Sequence, residues 1–367
     1  MGGRARSPSG LDIAHLRLRH QGINGPKRRS AADVVRWLVA VQAQDFAGAK
    51  WSLGLRLRKA KDSQIERAFD EGAILRTHLL RPTWHFVTPA DIGWLLALTA
   101  PRVHAVNGHM YRRLGLDAGV FRRSHAALAR ALEGGRHLTR HELRVELERA
   151  GIATEGGQRM GYLLMQAELE AVICSGPRRG KQFTYALLEE RASKAKKMDR
   201  EEALAELSRR YFASRGPATV QDFAKWSGLT VADAGRGLAS GKGGLRHEIV
   251  DGRAHWLPKS NPGKKDGSPT AHLLSIYDEY ISGYRDRRAI VSQEHGAKLV
   301  GLGNALNYII VVDGQIVGTW KRRLTRDSVV IETHPFRRLT RVEQRAVTEA
   351  AQRYGTFHDL PISLEVT

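Results

Sequence analysis

The chain has 367 residues, enough for two or three compact units, and its 59 lysines and arginines against 38 acidic residues leave a formal net charge of +21. A surplus of that size recruits polyanions, nucleic acid first among them, while 42% hydrophobic content makes this a folded protein, not a basic disordered tail. The single cysteine, Cys174, excludes an intramolecular disulfide and a cysteine-cluster zinc site, and no run approaches the ~18 apolar residues of a membrane span.

Residues 1–10 read as a disordered N-terminus without the apolar core of a signal peptide, so a reducing cytoplasm holding the bacterial nucleoid is the expected compartment. Leu11 to His20 alternates apolar and basic residues at helical spacing, and Ser30 is placed to cap a second helix over Asp33 to Ala40. Next comes Val41-Gln42-Ala43-Gln44-Asp45-Phe46. Two amides beside an apolar run cost roughly 1–3 kcal/mol each if buried without partners. In a helix, positions i and i+2 point about 200° apart, whereas in extended chain they share a face. Gln42 and Gln44 are therefore placed side by side where the helix frays into a loop, either as caps that tie down that loop or as working groups. On the same alternation Asp45 faces away and reads as a structural group.

Ser63 to Glu71 forms a short helix ended by Gly72, and Ala73 to Val87 reads as a strand pair in which Pro82 demotes part to an edge or a turn. Helices followed by a hairpin make a winged-helix plan. The plan recurs over residues 121–188, with a helix from Ser124 to Glu133, a capping box at Thr139 and Glu142, a helix from Gly161 to Cys174 and two strands around Gly176 to Lys181. It recurs again over 199–257: a helix to Phe212, one after Thr219, one from Thr230, and a hairpin at Asp251-Gly252. Glu189 to Lys197 reads as a charged helical linker and 259–270 as a flexible one. The remainder, with a second Asp-Gly hairpin at Asp313-Gly314, a strand from Ser328 to Glu332 and a helix from Leu339 to Tyr354, reads as a small β-rich domain. The fold class is thus α+β, with three tandem winged-helix units (11–120, 121–198, 199–258) and a C-terminal domain (271–367).

Winged helices place a helix in a groove and a wing on the backbone. The turn Arg178-Arg179-Gly180-Lys181 suits phosphates, because glycine lets the backbone approach and cations displace counterions, though an ordinary solvated turn has the same composition. Lys321-Arg322-Arg323 invites the same two readings. The helix from Thr230 offers only Asp233 and Arg236 as polar reach, so weak sequence preference is expected. His137 and His141 stand four apart without further ligands, so no metal site is expected.

Together with Leu75-Arg76-Thr77-His78-Leu79-Leu80-Arg81-Pro82-Thr83-Trp84-His85-Phe86-Val87 and Tyr277-Asp278-Glu279-Tyr280-Ile281-Ser282-Gly283-Tyr284-Arg285-Asp286-Arg287, the stretch around Gln42-Ala43-Gln44 resembles the tandem winged-helix DNA glycosylases of the AlkZ type. The likeness runs from about Leu11 to the end, and no single motif of it is specific alone. It implies a C-shaped arrangement scaffolded by the C-terminal domain, and a Gln-aliphatic-Gln catalytic signature here filled by Gln42, Ala43 and Gln44. Arg81, Thr83 and His85 fall in a family segment near the active site. Asp278 lies in another, either near the pocket or, with Glu279, pairing Arg285 and Arg287. The implied activity is cofactor-free, monofunctional excision of N7-alkylated purines, bulky or crosslinked ones included, from duplex DNA by a monomer. The rival is a non-catalytic DNA-binding or regulatory protein whose glutamines brace a loop.

Overall fold

The structure is a computed structural model and describes residues 11–260, 269–301 and 308–366. The expected disordered N-terminus and most of the expected 259–270 linker lie outside those residues.

Four helices, α1 (Ile13–His20), α2 (Ala31–Leu38), α3 (Phe46–Gly54) and α4 (Asp62–Asp70), pack with β1 (Val41–Gln42), β2 (Leu75–Leu79) and β3 (Thr83–Val87), whose sheet order is β1-β3-β2. Pro82 sits in the turn between β2 and β3, where its missing N–H costs no ladder bond. The long helix α5 (Pro89–Arg113) follows. Then come α6 (Ala118–Leu132), β4 (Leu138–Thr139), α7 (Arg140–Arg149), α8 (Arg159–Leu169), β5 (Ile173–Ser175) and β6 (Thr184–Leu187), with sheet order β4-β6-β5. After the short α9 (Leu188–Arg191), the pattern returns as α10 (Arg200–Arg215), α11 (Val220–Ser227), α12 (Val231–Gly241), β7 (Leu245–Val250) and β8 (Arg253–Pro258). Here a single bridge, Ala218 to Trp256, stands where the earlier segments have a first strand.

The C-terminal part holds β9 (Ala271–Leu274), α13 (Glu279–Ser282), α14 (Gln293–Gly301), β10 (Ile309–Val312), β11 (Gln315–Leu324), β12 (Val329–Pro335), α15 (Arg341–His358) and β13 (Ile362–Val366). Its sheet runs β13-β12-β11-β10-β9, with β13 parallel to β12.

Local chemistry explains most of these boundaries. Thr139 with Glu142, Thr219 with Asp222 and Thr340 with Glu343 form reciprocal capping boxes that satisfy the first free N–H groups of α7, α11 and α15. Both Asp-Gly turns have two residues at positive φ (48° and 70° at 251–252, 50° and 81° at 313–314), as a two-residue hairpin requires. Several elements, α3, α5, α14, β9 and β13 among them, are absent from the sequence reading, and the expected helix through Cys174 stops at Leu169, so that Cys174 lies buried in β5. The apolar cores also cross the expected divisions. One joins Leu18, Val34 and Phe86 to Ile310, Trp320 and Tyr354; another joins Leu79 and Trp94 to Phe212, Trp226 and Leu238; a third stays within residues 116–187.

Burial pushes His272 down to about 3, with Arg353, Lys27 and Arg56 adding to it, and burial lowers His20 and His85 as well. Such rings are neutral when folded but bind protons in the unfolded chain below its pKa of ~6.5. Their contribution to stability is therefore complete above that pH and is lost as pH falls from about 6.5 towards the depressed folded values. The urea midpoint should fall between pH 7 and 5, less steeply in His272→Gln. An unchanged slope in that variant contradicts the assignment.

Candidate active site

Helix α2 ends where Val39 takes a φ of 67°, turning the chain into β1 and leaving carbonyls without helical partners. Arg215, at the end of α10, fills that gap by donating to Leu38 O at 2.8 Å and Ala40 O at 3.1 Å. Its guanidinium also donates to Glu279 Oε2 at 2.6 Å and 3.1 Å, and Trp226 Nε1 donates to the same oxygen at 2.9 Å. The other oxygen, Glu279 Oε1, accepts the backbone N–H of Gln42 at 3.0 Å. Glu279 therefore pairs with the outer edge of β1 while β3 pairs with the inner one, and four elements converge on one residue of the glutamine motif.

The expectation of a fraying helix is corrected: Gln42 lies in a strand, opposite Phe86's neighbour His85, while Gln44 lies just beyond it. Gln42 is buried and Gln44 exposed. Gln42 Oε1 accepts from Arg81 Nη2 at 3.2 Å, and since arginine only donates, this contact fixes which end of the amide is oxygen. Gln44 Oε1 faces the backbone N–H of Trp84 at 3.5 Å, and Ala43 N–H donates to Trp84 O at 2.7 Å. Each carbonyl oxygen has two lone pairs, so both amides keep one acceptor site and an NH2 group for a ligand. Arg81 in turn donates to the carbonyl of Lys225 on α11 at 3.4 Å, and burial depresses its titration. Gly228 makes this approach possible: it ends α11 at a φ of 73°, and a Cβ there would stand 2.2 Å from Leu80 O.

Among the second-tier residues, His85 is fully buried and directly opposite Gln42 on one side and Thr77 on the other. Directly opposed residues share a sheet face. Its Nδ1 donates to Thr83 O at 2.9 Å, and burial, then the charge of Arg81, push its titration well below the usual range. His85 is thus a neutral imidazole whose Nε2 carries a lone pair, and among the described residues neither that atom nor Thr77 Oγ1 has a hydrogen-bond partner. Thr83 Oγ1 is unpartnered too.

Asp278 is a different case. It is buried in a cage of Arg56 (2.9 Å to each oxygen), Ser52 Oγ (2.6 Å) and Tyr280 N (2.8 Å). Burial raises its pKa, but the charge and hydrogen bonds of Arg56 outweigh this and hold the carboxyl below its usual range. The expected pairing of Asp278 and Glu279 with Arg285 and Arg287 is replaced by Arg56 and Arg215. Asp45 accepts a hydrogen bond from Tyr308 and serves structure.

Of the phosphate candidates, Arg178 is turned inward: Nη1 donates to Glu66 at 2.8 Å, and the guanidinium lies over Phe46 and Phe183. Arg179 pairs with Glu142 and donates to His137 O, both at 2.7 Å. Lys181 is exposed and makes no ion pair among the described residues. A recess of about 700 Å3 lies elsewhere, between α2, α5 and α10, where Arg28, Arg36, Trp37, Lys196, Arg209 and Arg210 line it. It contains neither glutamine. No helix among the described residues is long and apolar enough to cross a membrane.

A family profile described as DNA glycosylase AlkZ-like matches residues 35–357, which span both glutamines, the β2–β3 turn and Tyr277 to Arg287. A protein of Streptomyces sahachiroi named interstrand DNA cross-link repair glycosylase is 25% identical over 349 residues, covering 91% of this chain and 92% of that one. The solved Streptomyces sahachiroi DNA glycosylase AlkZ shares the fold with a TM-score of 0.80 at 23% identity, covering 99% of this chain and 100% of that one. A match over that length, carrying the glutamine pair with it, means that this chain belongs to the family of AlkZ-like DNA glycosylases.

Proposed function

We propose that this protein is a monofunctional glycosylase that hydrolyses the N-glycosidic bond of N7-alkylated purines in duplex DNA, using Gln42 and Gln44 to place the attacking water. The observation that carries the reading is the anchoring of Gln42 beside an exposed Gln44. Gln42 is fixed through its backbone by Glu279 and through its carbonyl by Arg81, and Gln44 stands exposed one extended step away. In the reaction the water oxygen bonds to C1′ as the bond to purine N9 breaks. The electron pair goes to N9, neutralising the charge that alkylation placed on the ring, and the water's proton passes to solvent. A cationic purine is already a good leaving group, so position contributes more than basicity, and glutamine does not titrate. The neutral His85 supplies a lone pair on the same sheet face without adding charge.

Bulky and crosslinked adducts are included in the substrate class, because the relative from Streptomyces sahachiroi carries that activity in its name. Three winged-helix units over residues 11–258, borne by the scaffold 271–367, would let a monomer hold the duplex, and the net charge of +21 supports a phosphate-dominated encounter. The test is incubation of purified protein with a duplex holding 7-methylguanine, followed by alkali. Strand breaks at the modified position are expected. No release from this or larger N7 adducts overturns the reading.

A further inference from the structure

We propose that Lys225, Arg287 and Arg81 form a subsite for the phosphodiester beside the extruded nucleotide, which rests on the reading of Gln42 and Gln44 as the hydrolytic pair. Arg81 links the two places physically, with one Nη on Gln42 Oε1 at 3.2 Å and the other on Lys225 O at 3.4 Å. Lys225 is exposed overall, yet its Nζ turns to Ser282 O at 3.1 Å, at the head of the segment that leads to Arg287. Arg287 is half-buried, makes no side-chain hydrogen bond or ion pair among the described residues, and leaves its Nε enclosed without a partner there. A guanidinium taken that far from water without an anion is costly, and a fold that holds one there leaves it short of an acceptor.

Two of the cations also act on the third. Lys225 titrates at about 8, lowered first by burial and then by Arg81 and Arg287. Nearby carboxylates are committed elsewhere. Glu279 is consumed by Arg215, Trp226 and Gln42, and Asp222 by the N–H groups of Thr219, Arg285 and Asp286. Arg81 and Lys225 beside Gln42, with Arg287, partnerless among the described residues, on the segment whose backbone Asp222 holds against α11, fit an oxyanion with several acceptor atoms. A phosphodiester supplies two nonbridging oxygens and a full negative charge. Binding there would fix the sugar that must present C1′ to the water, and would relieve the mutual repulsion of the cations.

The experiment measures binding to a duplex holding a tetrahydrofuran abasic analogue and to the same duplex undamaged, with each phosphate flanking the lesion replaced in turn by neutral methylphosphonate. Lys225→Gln and Arg287→Gln should each weaken abasic-duplex binding about tenfold, the loss of one charge-assisted contact, and leave undamaged-duplex binding, which also reports on folding, unchanged. At one flanking phosphate, methylphosphonate should weaken the wild type similarly and the variants no further. Equal weakening on both duplexes, or additive losses at every phosphate, overturns the subsite. A wild type that binds the two duplexes alike also overturns it, and base release from the 7-methylguanine duplex, measured alongside, shows whether the glycosylase reading falls with it.

Discussion

Gln42→Ala is expected to slow single-turnover release of 7-methylguanine about a hundredfold while leaving affinity for undamaged duplex unchanged. Truncation removes the amide that Arg81 orients and leaves the space opposite His85 without a group to hold water, yet the backbone contacts of residue 42 survive: its N–H still meets Glu279 and its ladder with β3 still forms. The side chain's loss should cost about 1.5–3 kcal/mol of stability, the value of one hydrogen bond to a charged group, so thermal melts distinguish lost chemistry from lost fold. Gln44→Ala should slow release as well but melt like the wild type, because Gln44 is exposed and its single contact to Trp84 N is long at 3.5 Å. A Gln42→Ala protein that releases base within about threefold of the wild-type rate would remove this residue from the mechanism. Arg81→Met offers a finer check, since it spares Gln42 but frees its amide to rotate.

How much of this was legible in the sequence depends on whether a feature is local or assembled. The capping box at Thr139 and both Asp-Gly turns are set by two to four adjacent residues, and they stand where the pattern places them. The glutamine pair was visible for the same reason. Its strand was not, because β1 is two residues long and exists only through β3 and the Glu279 carboxylate, and no two-residue run announces a strand. Long helix α5 carries Pro101 and a weak apolar stripe, which hides its 25 residues from a periodicity argument. The buried pairs were least legible. Arg56 with Asp278 and Arg215 with Glu279 join residues 222 and 64 positions apart, while Arg285 and Arg287 stand close by in sequence and draw the eye. Arg178 likewise reads as a phosphate contact until Glu66 and Asp70 are seen beside it. Arg56, Arg178 and Arg215 all act as structural donors here.

Glu279→Ala is expected to destabilise the protein by roughly 3–5 kcal/mol, because it strands the guanidinium of Arg215 in a site where neither partner's side chain exceeds 1% exposure. The loss should exceed that of any single surface ion pair here, such as Arg149 with Glu146, which is worth about 0.2–1 kcal/mol at most. Stability alone would not separate a structural brace from a positioning group, so the informative variant replaces both partners. Glu279→Leu with Arg215→Met removes the buried charges together, and such replacements are often neutral for stability or better. In that background Gln42 N–H has no acceptor at the outer edge of β1, Ala40 O loses the donor it has in Arg215, and Leu38 O keeps only the N–H of Ala40. Base release should therefore stay slow, with kcat falling more than KM rises, even where the melting temperature has recovered. If the double variant regains both stability and rate, Glu279 only balances a charge. If it regains stability alone, then what this carboxylate contributes is the path of the chain at Gln42, held from the side that β3 does not reach.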